Sequence, residues 1–266
     1  MQNGFYSATG AMVTQFNRLD VISNNLANIN TAAFKRDDVV IGDFSKIFQE
    51  TKDELPIRNH TKSAAKYINR YIDKVPQISY EYTNFEKGAL KESNNPLDFA
   101  LKREDIFFLV ETPNGLRVTQ NGSFSLNEDG ELVTKEGYFV LPANFFEDRN
   151  YINFAPENEI TADKDGNLYV DGELDATLFI AQIIDPRMLT KEGDHLYKFS
   201  EENMQALQNS NSIEQGFVEV SNINPVSEMV GLIETQRLVE MYQKVISSHM
   251  DDLNSDAINK LANIRA

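Results

Sequence analysis

Two groups of residues in this 266-residue chain have types and spacing that could do chemistry. The first is "DKDGNLYVDGE", where Asp163, Asp165 and Asn167 alternate like the opening oxygen ligands of a calcium loop. Such a loop needs a glycine directly after its third ligand and a closing glutamate, and those places hold Leu168 and Leu174. Hairpin turns explain these acidic residues better. The second group is "LDVISNNLANINTAAFKR", residues 19–36, in which Asn24, Asn25, Asn28 and Asn30 end an apolar-striped helix just before a basic pair. Asparagine competes with helical backbone for hydrogen bonds and belongs at caps and turns. Four together offer paired donors and acceptors. They suit either a cap over the last helical carbonyls or recognition of neighbouring chains where buried charge is too costly. His60, His195 and His249 are scattered without ligand spacing. The sequence contains no Gly-x-Ser-x-Gly elbow, phosphate-binding loop or dinucleotide fingerprint. Carboxylates are plentiful, yet nothing singles out a hydrolytic pair. The chain reads as a non-enzyme without catalytic residues, cofactor or metal.

Composition narrows the field further. With 41 acidic and 25 basic residues the net charge is −16. Nucleic acid and anionic membrane surfaces both need a basic face, so neither is an expected partner. Cysteine is absent, which removes disulfides, thiolate nucleophiles and most zinc sites. No stretch approaches the roughly 18 apolar residues of a membrane span, so direct membrane insertion is not expected. The start, "MQNGFYSATGAMVTQF", lacks a basic segment followed by an unbroken apolar run, so a cleaved signal peptide is not expected either.

The elements that would position these residues divide into helical ends and a strand-rich middle. Near the N-terminus a heptad-like stripe runs through Phe5, Ala8, Met12, Leu19, Ile22, Leu26 and Ile29; Gln15 interrupts it and Phe16 widens it. Near the C-terminus Leu232, Val239, Ile246 and Leu253 recur every seven residues, broadened by Ile233, Tyr242 and others. Pro225 suits the first turn of that helix, which is expected over roughly 226–262. Between the ends, strand-like runs alternate with Asn114-Gly115, Asp129-Gly130, Glu136-Gly137, Asp165-Gly166 and Asp171-Gly172. Asn-Gly and Asp-Gly supply the positive φ that tight hairpins demand. Neither terminal stripe can be buried within its own helix. The expected fold is therefore α+β: a discontinuous helical coiled-coil domain built from both termini, with an antiparallel β domain inserted between them. The expected bounds are 1–34 for the first helix, 35–80 for a connector with some helix from Phe44 to Glu50, 81–215 for the β domain and 216–266 for the last helix.

"SNNLAN", Ser23 to Asn28, followed by Asn30, Thr31, Ala33, Phe34 and Lys35, closely resembles the N-terminal signature of the bacterial flagellar rod and hook family, the axial proteins of the flagellum. That family often has glycine where Ala33 stands. "GALKESNNPLDFAL", "NGSFSLNEDGELVTKEGYFVL" and the C-terminal "EVSNINPVSEMVGLIETQR" match further family segments in the same order. There are two departures: "REDI", Arg103 to Ile106, replaces a Gly-x-Gly, and Gln120 stands where an arginine is usual.

The resemblance implies a structural subunit of the flagellar rod that stacks helically, its terminal helices lining the drive shaft and export channel. A proximal rod protein fits somewhat better than a distal rod or hook-type subunit; an extracellular β binding module on a coiled-coil stalk is a further alternative. Implied partners are copies of itself, other rod, basal-body and hook axial proteins, and the flagellar type III export apparatus. The implied location is the basal body within the periplasm. The assembly interface is then expected at Phe5, Met12, Phe16, Leu19, Ile22, Asn24, Asn25, Leu26, Asn28 and Asn30, and at Leu232, Ile233, Val239, Tyr242, Ile246 and Leu253. In the free monomer both terminal segments are expected to be largely unfolded, because single helices are marginal without packing.

Overall fold

A computed structural model describes residues 2–43, 76–155, 158–207 and 211–263. The helix expected from Phe44 to Glu50, and His60, lie outside these residues. The chain divides into two units, the first of residues 1–27, 37–82 and 224–266, the second of residues 28–36 and 83–223.

The first unit contains a 26-residue helix α1 (Gln2–Ala27), the paired strands β1 (Asp37–Asp43) and β2 (Pro76–Thr83), and a 39-residue helix α3 (Pro225–Asn263). Asn224 starts α3: its Oδ1 accepts hydrogen bonds from the N–H groups of Val226 (3.0 Å) and Ser227 (3.3 Å). Pro225 follows at the first helical position, where its missing N–H costs nothing. α1 packs along α3 and touches β1. Asn25 lies by Glu228, and Ile22 lies where a methyl group on Gly231 would be 3.5 Å away, so the two helices run antiparallel. No described helix is long and apolar enough to cross a membrane.

The second unit is antiparallel β throughout its described strand pairs. Two short pairs stand apart from its main sheet: β3 (Leu90–Glu92) with β18 (Phe217–Glu219), and β4 (Phe99–Leu101) with β17 (Ile213–Gln215). The main sheet is built on β5 (Ile106–Thr112), which forms a hairpin with β6 (Gly115–Thr119). Its other edge is shared by β9 (Phe139–Val140) and β13 (Ile180–Ile183). β7 (Phe124–Leu126) and β8 (Leu132–Thr134) continue the sheet on the β9 side, and β16 (Met204–Leu207) lies beyond β13. Beyond β6 come β15 (Leu196–Lys198) and the edge strand β14 (Thr190–Gly193). A separate meander holds β10 (Ile160–Ala162), β11 (Asn167–Val170) and β12 (Glu173–Thr177).

The unbroken run "IFFLV" of β5 has a direct cause. Ile106, Phe108 and Val110 enter one core cluster while Phe107 and Leu109 enter another, so both faces of the strand are covered. At the turns Gly115 has φ +102 and Gly166 φ +92, the conformations that the dipeptides demanded. The would-be calcium loop is such a turn. Asp163 accepts hydrogen bonds from the backbone of Asp165 and Asn167 at 2.9 Å each, and from the Asn167 side chain at 2.8 Å.

Two expected bounds differ from the observed divisions. α1 ends at Ala27 rather than 34, and Asn28–Arg36 and the stretch 216–223 belong to the β unit. The reason is a set of hydrogen bonds between those two segments, described next.

Candidate assembly interface

The buried line of α1 is not the line of its largest apolar residues. Ala8, Ala11, Gln15, Ile22 and Asn25 are the buried positions, with Thr14 at their edge. Of the interface residues expected on this helix, Ile22 and Asn25 are buried; Phe5, Met12, Leu19 and Leu26 are half-buried, and Phe16 is 40% exposed. At ~100° per residue, Phe5, Met12, Phe16 and Leu19 lie about 90° around the helix from the buried line. Small residues let helices approach closely, so Ala8 and Ala11 take the contact. Gln15, which breaks the apolar stripe, sits on it.

On α3, Leu232, Val239, Ile246 and Leu253 alternate with Glu228, Thr235, Tyr242 and His249, and all eight are buried or half-buried. Ile233 instead faces outward, half exposed, on a face it shares with Val226, Met229, Val230 and Met241. The interior of this unit contains polar groups. Gln15 Oε1 and Thr235 Oγ1 are buried without a hydrogen-bond partner among the described residues. α1 and α3 thus each keep an apolar strip uncovered beside a contact made partly of polar residues.

The four asparagines separate in role. Asn25, 1% exposed, grips the backbone of Asp37: its Nδ2 donates to the carbonyl at 2.8 Å and its Oδ1 accepts from the N–H at 3.0 Å. The same Nδ2 reaches Glu228 Oε2 at 3.4 Å, so one side chain ties together the end of α1, the start of β1 and the start of α3. Asn28 shapes the turn that follows, its carbonyl accepting from Thr31 N–H at 3.1 Å and its Oδ1 from the Thr31 hydroxyl at 3.3 Å. Asn24 and Asn30 are exposed.

Within the β unit the rest of the signature is an anchor. Ala33 donates its N–H to Glu219 O at 2.8 Å and holds φ +55, the left-handed conformation that glycine adopts freely. Ala33→Gly is accordingly expected to stabilise this unit by about 0.5–1 kcal/mol, read from the urea midpoint. Lys35, 1% exposed, donates to Glu219 Oε1 at 2.7 Å and to Glu86 O at 3.1 Å. Glu219 Oε1 also accepts the Gly88 N–H at 2.7 Å. Asn222 completes the join, accepting from Arg36 N–H at 2.8 Å and donating to the carbonyls of Asn84 (2.8 Å) and Glu86 (2.9 Å).

Phe34 is buried with the Lys191 ammonium 4.1 Å from its ring centroid and the His195 ring edge-on at 6.0 Å. Burial pushes the His195 pKa below its ordinary value, with Lys191 and Lys135 adding to the fall and Glu136 and Asp194 opposing it. The folded form therefore favours neutral histidine and binds fewer protons than the unfolded chain. This contribution is complete above about pH 6.5 and is lost as pH falls towards the lowered folded pKa. His195→Asn, which tolerates the φ of +59 at this position, is expected to flatten the urea midpoint between pH 7 and 5.5.

Sequence comparison decides what these anchors belong to. Residues 5–35 match the family described as "Flagella basal body rod protein", residues 105–172 the "Flagellar hook protein FlgE/F/G D1 domain", and residues 214–260 "Flagellar basal body rod FlgEFG protein C-terminal". The flagellar basal-body rod protein FlgF of Mesorhizobium japonicum is 30% identical over 249 residues, covering 90% of each chain. The chain belongs to the flagellar basal-body rod protein family. FlgG of Buchnera aphidicola subsp. Acyrthosiphon pisum is likewise 30% identical, over 91% of this chain and 93% of its own. The hook-basal body complex protein FlhO of Bacillus subtilis is 27% identical over 99% of this chain and 100% of its own. The rod-family matches at the two ends cover both halves of the anchor: Lys35 falls in the first and Glu219 in the last.

Sequence reasoning picked out Lys35 and the Ser221–Asn224 segment but missed Glu219, Glu228 and Lys191. A faint signal existed for Glu219: in "GFVEVSNIN" it is a lone charge within an otherwise apolar strand.

Proposed function

We propose that this rod-family chain is a structural, non-catalytic subunit of the flagellar rod that polymerises helically through its two terminal helices. The observation that carries this reading is the pair of apolar strips left uncovered on α1 and α3: Phe16 and Val13 on one, Met229, Val230, Ile233 and Met241 on the other. Half-exposed apolar side chains in rows on long helices are a cost to a lone subunit and a contact surface in an array. The expected interface residues keep their place in this reading. Phe5, Met12, Phe16, Leu19, Leu26 and Ile233 meet neighbouring subunits, whereas Ile22, Asn25, Leu232, Val239, Tyr242, Ile246 and Leu253 hold the subunit's own helices together as a coiled-coil core. Asn24, Asn28 and Asn30 offer hydrogen bonds to adjoining chains. Helices so poorly covered fold fully only on joining the assembly, which also suits passage through a narrow export channel without a cleaved signal. Partners are further copies and other axial proteins, and the setting is the basal body within the periplasm. Proximal placement is preferred to distal.

The double substitution Met229→Glu/Ile233→Glu tests this directly. It is expected to abolish incorporation into basal bodies and swimming in soft agar, while leaving the thermal unfolding of the purified chain within about 1 kcal/mol of the parent, as for other surface changes. Normal rods built from that variant would end the proposal.

A further inference from the structure

Between β9 and β10 the chain leaves the sheet as "LPANFFEDRNYINF", residues 141–154, and carries a row of aromatic rings to the surface. A four-residue helix α2 (Phe145–Asp148), capped by Arg149 at φ +53, turns Phe145 and Phe146 in different directions, their rings 5.9 Å apart at 75°. Phe146 meets the buried Phe179 edge-on at 5.7 Å, Phe145 meets Tyr151 at 5.8 Å, and Tyr151 stacks on Phe139 at 4.5 Å. Five rings thus form an unbroken row from the buried Phe179 to the half-buried Phe139, and two of its inner members are uncovered: Phe146 is 56% exposed and Tyr151 37%.

The setting of this row is acidic. The Tyr151 hydroxyl donates to Glu111 Oε2 at 2.7 Å, and that hydrogen bond is the main reason its pKa lies above the ordinary tyrosine value, with burial and the charges of Glu111 and Glu131 adding to it. Glu147 and Asp148 are exposed on α2, against the single cation Arg149 in the segment. Ring faces attract cations through their quadrupole, and carboxylates do so by charge, so the two features favour the same ligand. The same patch on a second copy would bring like charges together and is disfavoured.

We propose that this aromatic shelf is a docking surface for a lysine- or arginine-bearing segment of a different protein. Exposed aromatics in a hydrogen-bonding rim have the composition of an interface hot spot, and the carboxylate rim selects a basic occupant. The assignment does not rest on polymerisation through α1 and α3, which occupies other residues.

Calorimetric titration of the full chain with a (Gly-Arg)4 peptide, and with its uncharged citrulline counterpart, tests it. Phe146→Ala is expected to weaken arginine-peptide binding about fivefold or more. Glu147→Gln/Asp148→Asn is expected to weaken it and reduce its salt dependence. Glu201→Gln/Glu202→Gln, which removes two exposed acids outside the shelf, is expected to leave affinity within about twofold. Equal loss from both acidic pairs would mean diffuse attraction to an acidic chain and overturn the proposal. Unchanged binding by Phe146→Ala would do the same, as would equal affinity for the citrulline peptide. Self-association of the parent chain that Phe146→Ala abolishes would name a second copy as occupant and also overturn it.

Discussion

Replacing Lys35 with methionine is expected to destabilise the β unit by about 3–5 kcal/mol, because it leaves the buried Glu219 carboxylate without its counter-charge. For a unit of this size that is a fall of about 10 °C or more in its melting transition. The loss is that large because both side chains are out of water, with side-chain exposures of 1% and 3%. An exposed pair of the same geometry would contribute under about 1 kcal/mol. Glu219→Gln should cost less than Lys35→Met, since the amide oxygen can still accept from the ammonium and from Gly88 N–H. Combining Lys35→Met with Glu219→Leu removes both charges, and its cost should fall below the sum of the single changes by more than about 1 kcal/mol. It should not return to zero, because Gly88 N–H and Glu86 O each lose a partner. Urea titrations of the parent, Lys35→Met, Glu219→Leu and the double variant give the cycle; simple additivity would mean the two side chains do not act as a pair.

The second large effect is expected at Gly122. A Cβ there would lie 1.8 Å from Phe99 O and 2.9 Å from Phe108 Cε2. Phe99 cannot retreat cheaply, because its N–H is bonded to Gly122 O at 2.9 Å and its strand β4 is paired with β17. Gly122→Ala should cost about 3 kcal/mol or more, in the range of severe overpacking. Gly137 makes the contrast: a methyl there meets nothing within 4 Å, so Gly137→Ala carries only the strain of φ +90, about 1–2 kcal/mol. If the two variants melt together, β4 moves aside freely and its register is soft.

Particular residues show why some of this was legible in the sequence. The hairpins could be read because Gly115 and Gly166 stand where the backbone needs positive φ, a local requirement that leaves a local mark. α3 could be read from a seven-residue repeat and from Pro225 at its head. The buried line of α1 could not, because Ala8, Ala11 and Gln15 carry no hydrophobic signal and Phe5, Met12 and Phe16 carry a strong one. The role of Asn25 was open for another reason. Its partners are the backbone of Asp37 and the side chain of Glu228, and no spacing rule reaches a contact 203 residues away. The two departures from the family pattern looked unrelated in the sequence and meet in the fold. Gln120 Nε2 donates to Glu104 O at 2.9 Å and Ile106 O at 3.3 Å, so the altered side chain holds the altered turn.

The separation of 184 residues between Lys35 and Glu219 has a consequence for biosynthesis. A polypeptide leaving the ribosome presents its ammonium early, and 184 more residues are added before the matching carboxylate is made. Until then β3 and β4 lack β18 and β17, the strands that close on them, although every strand of the main sheet has already been made.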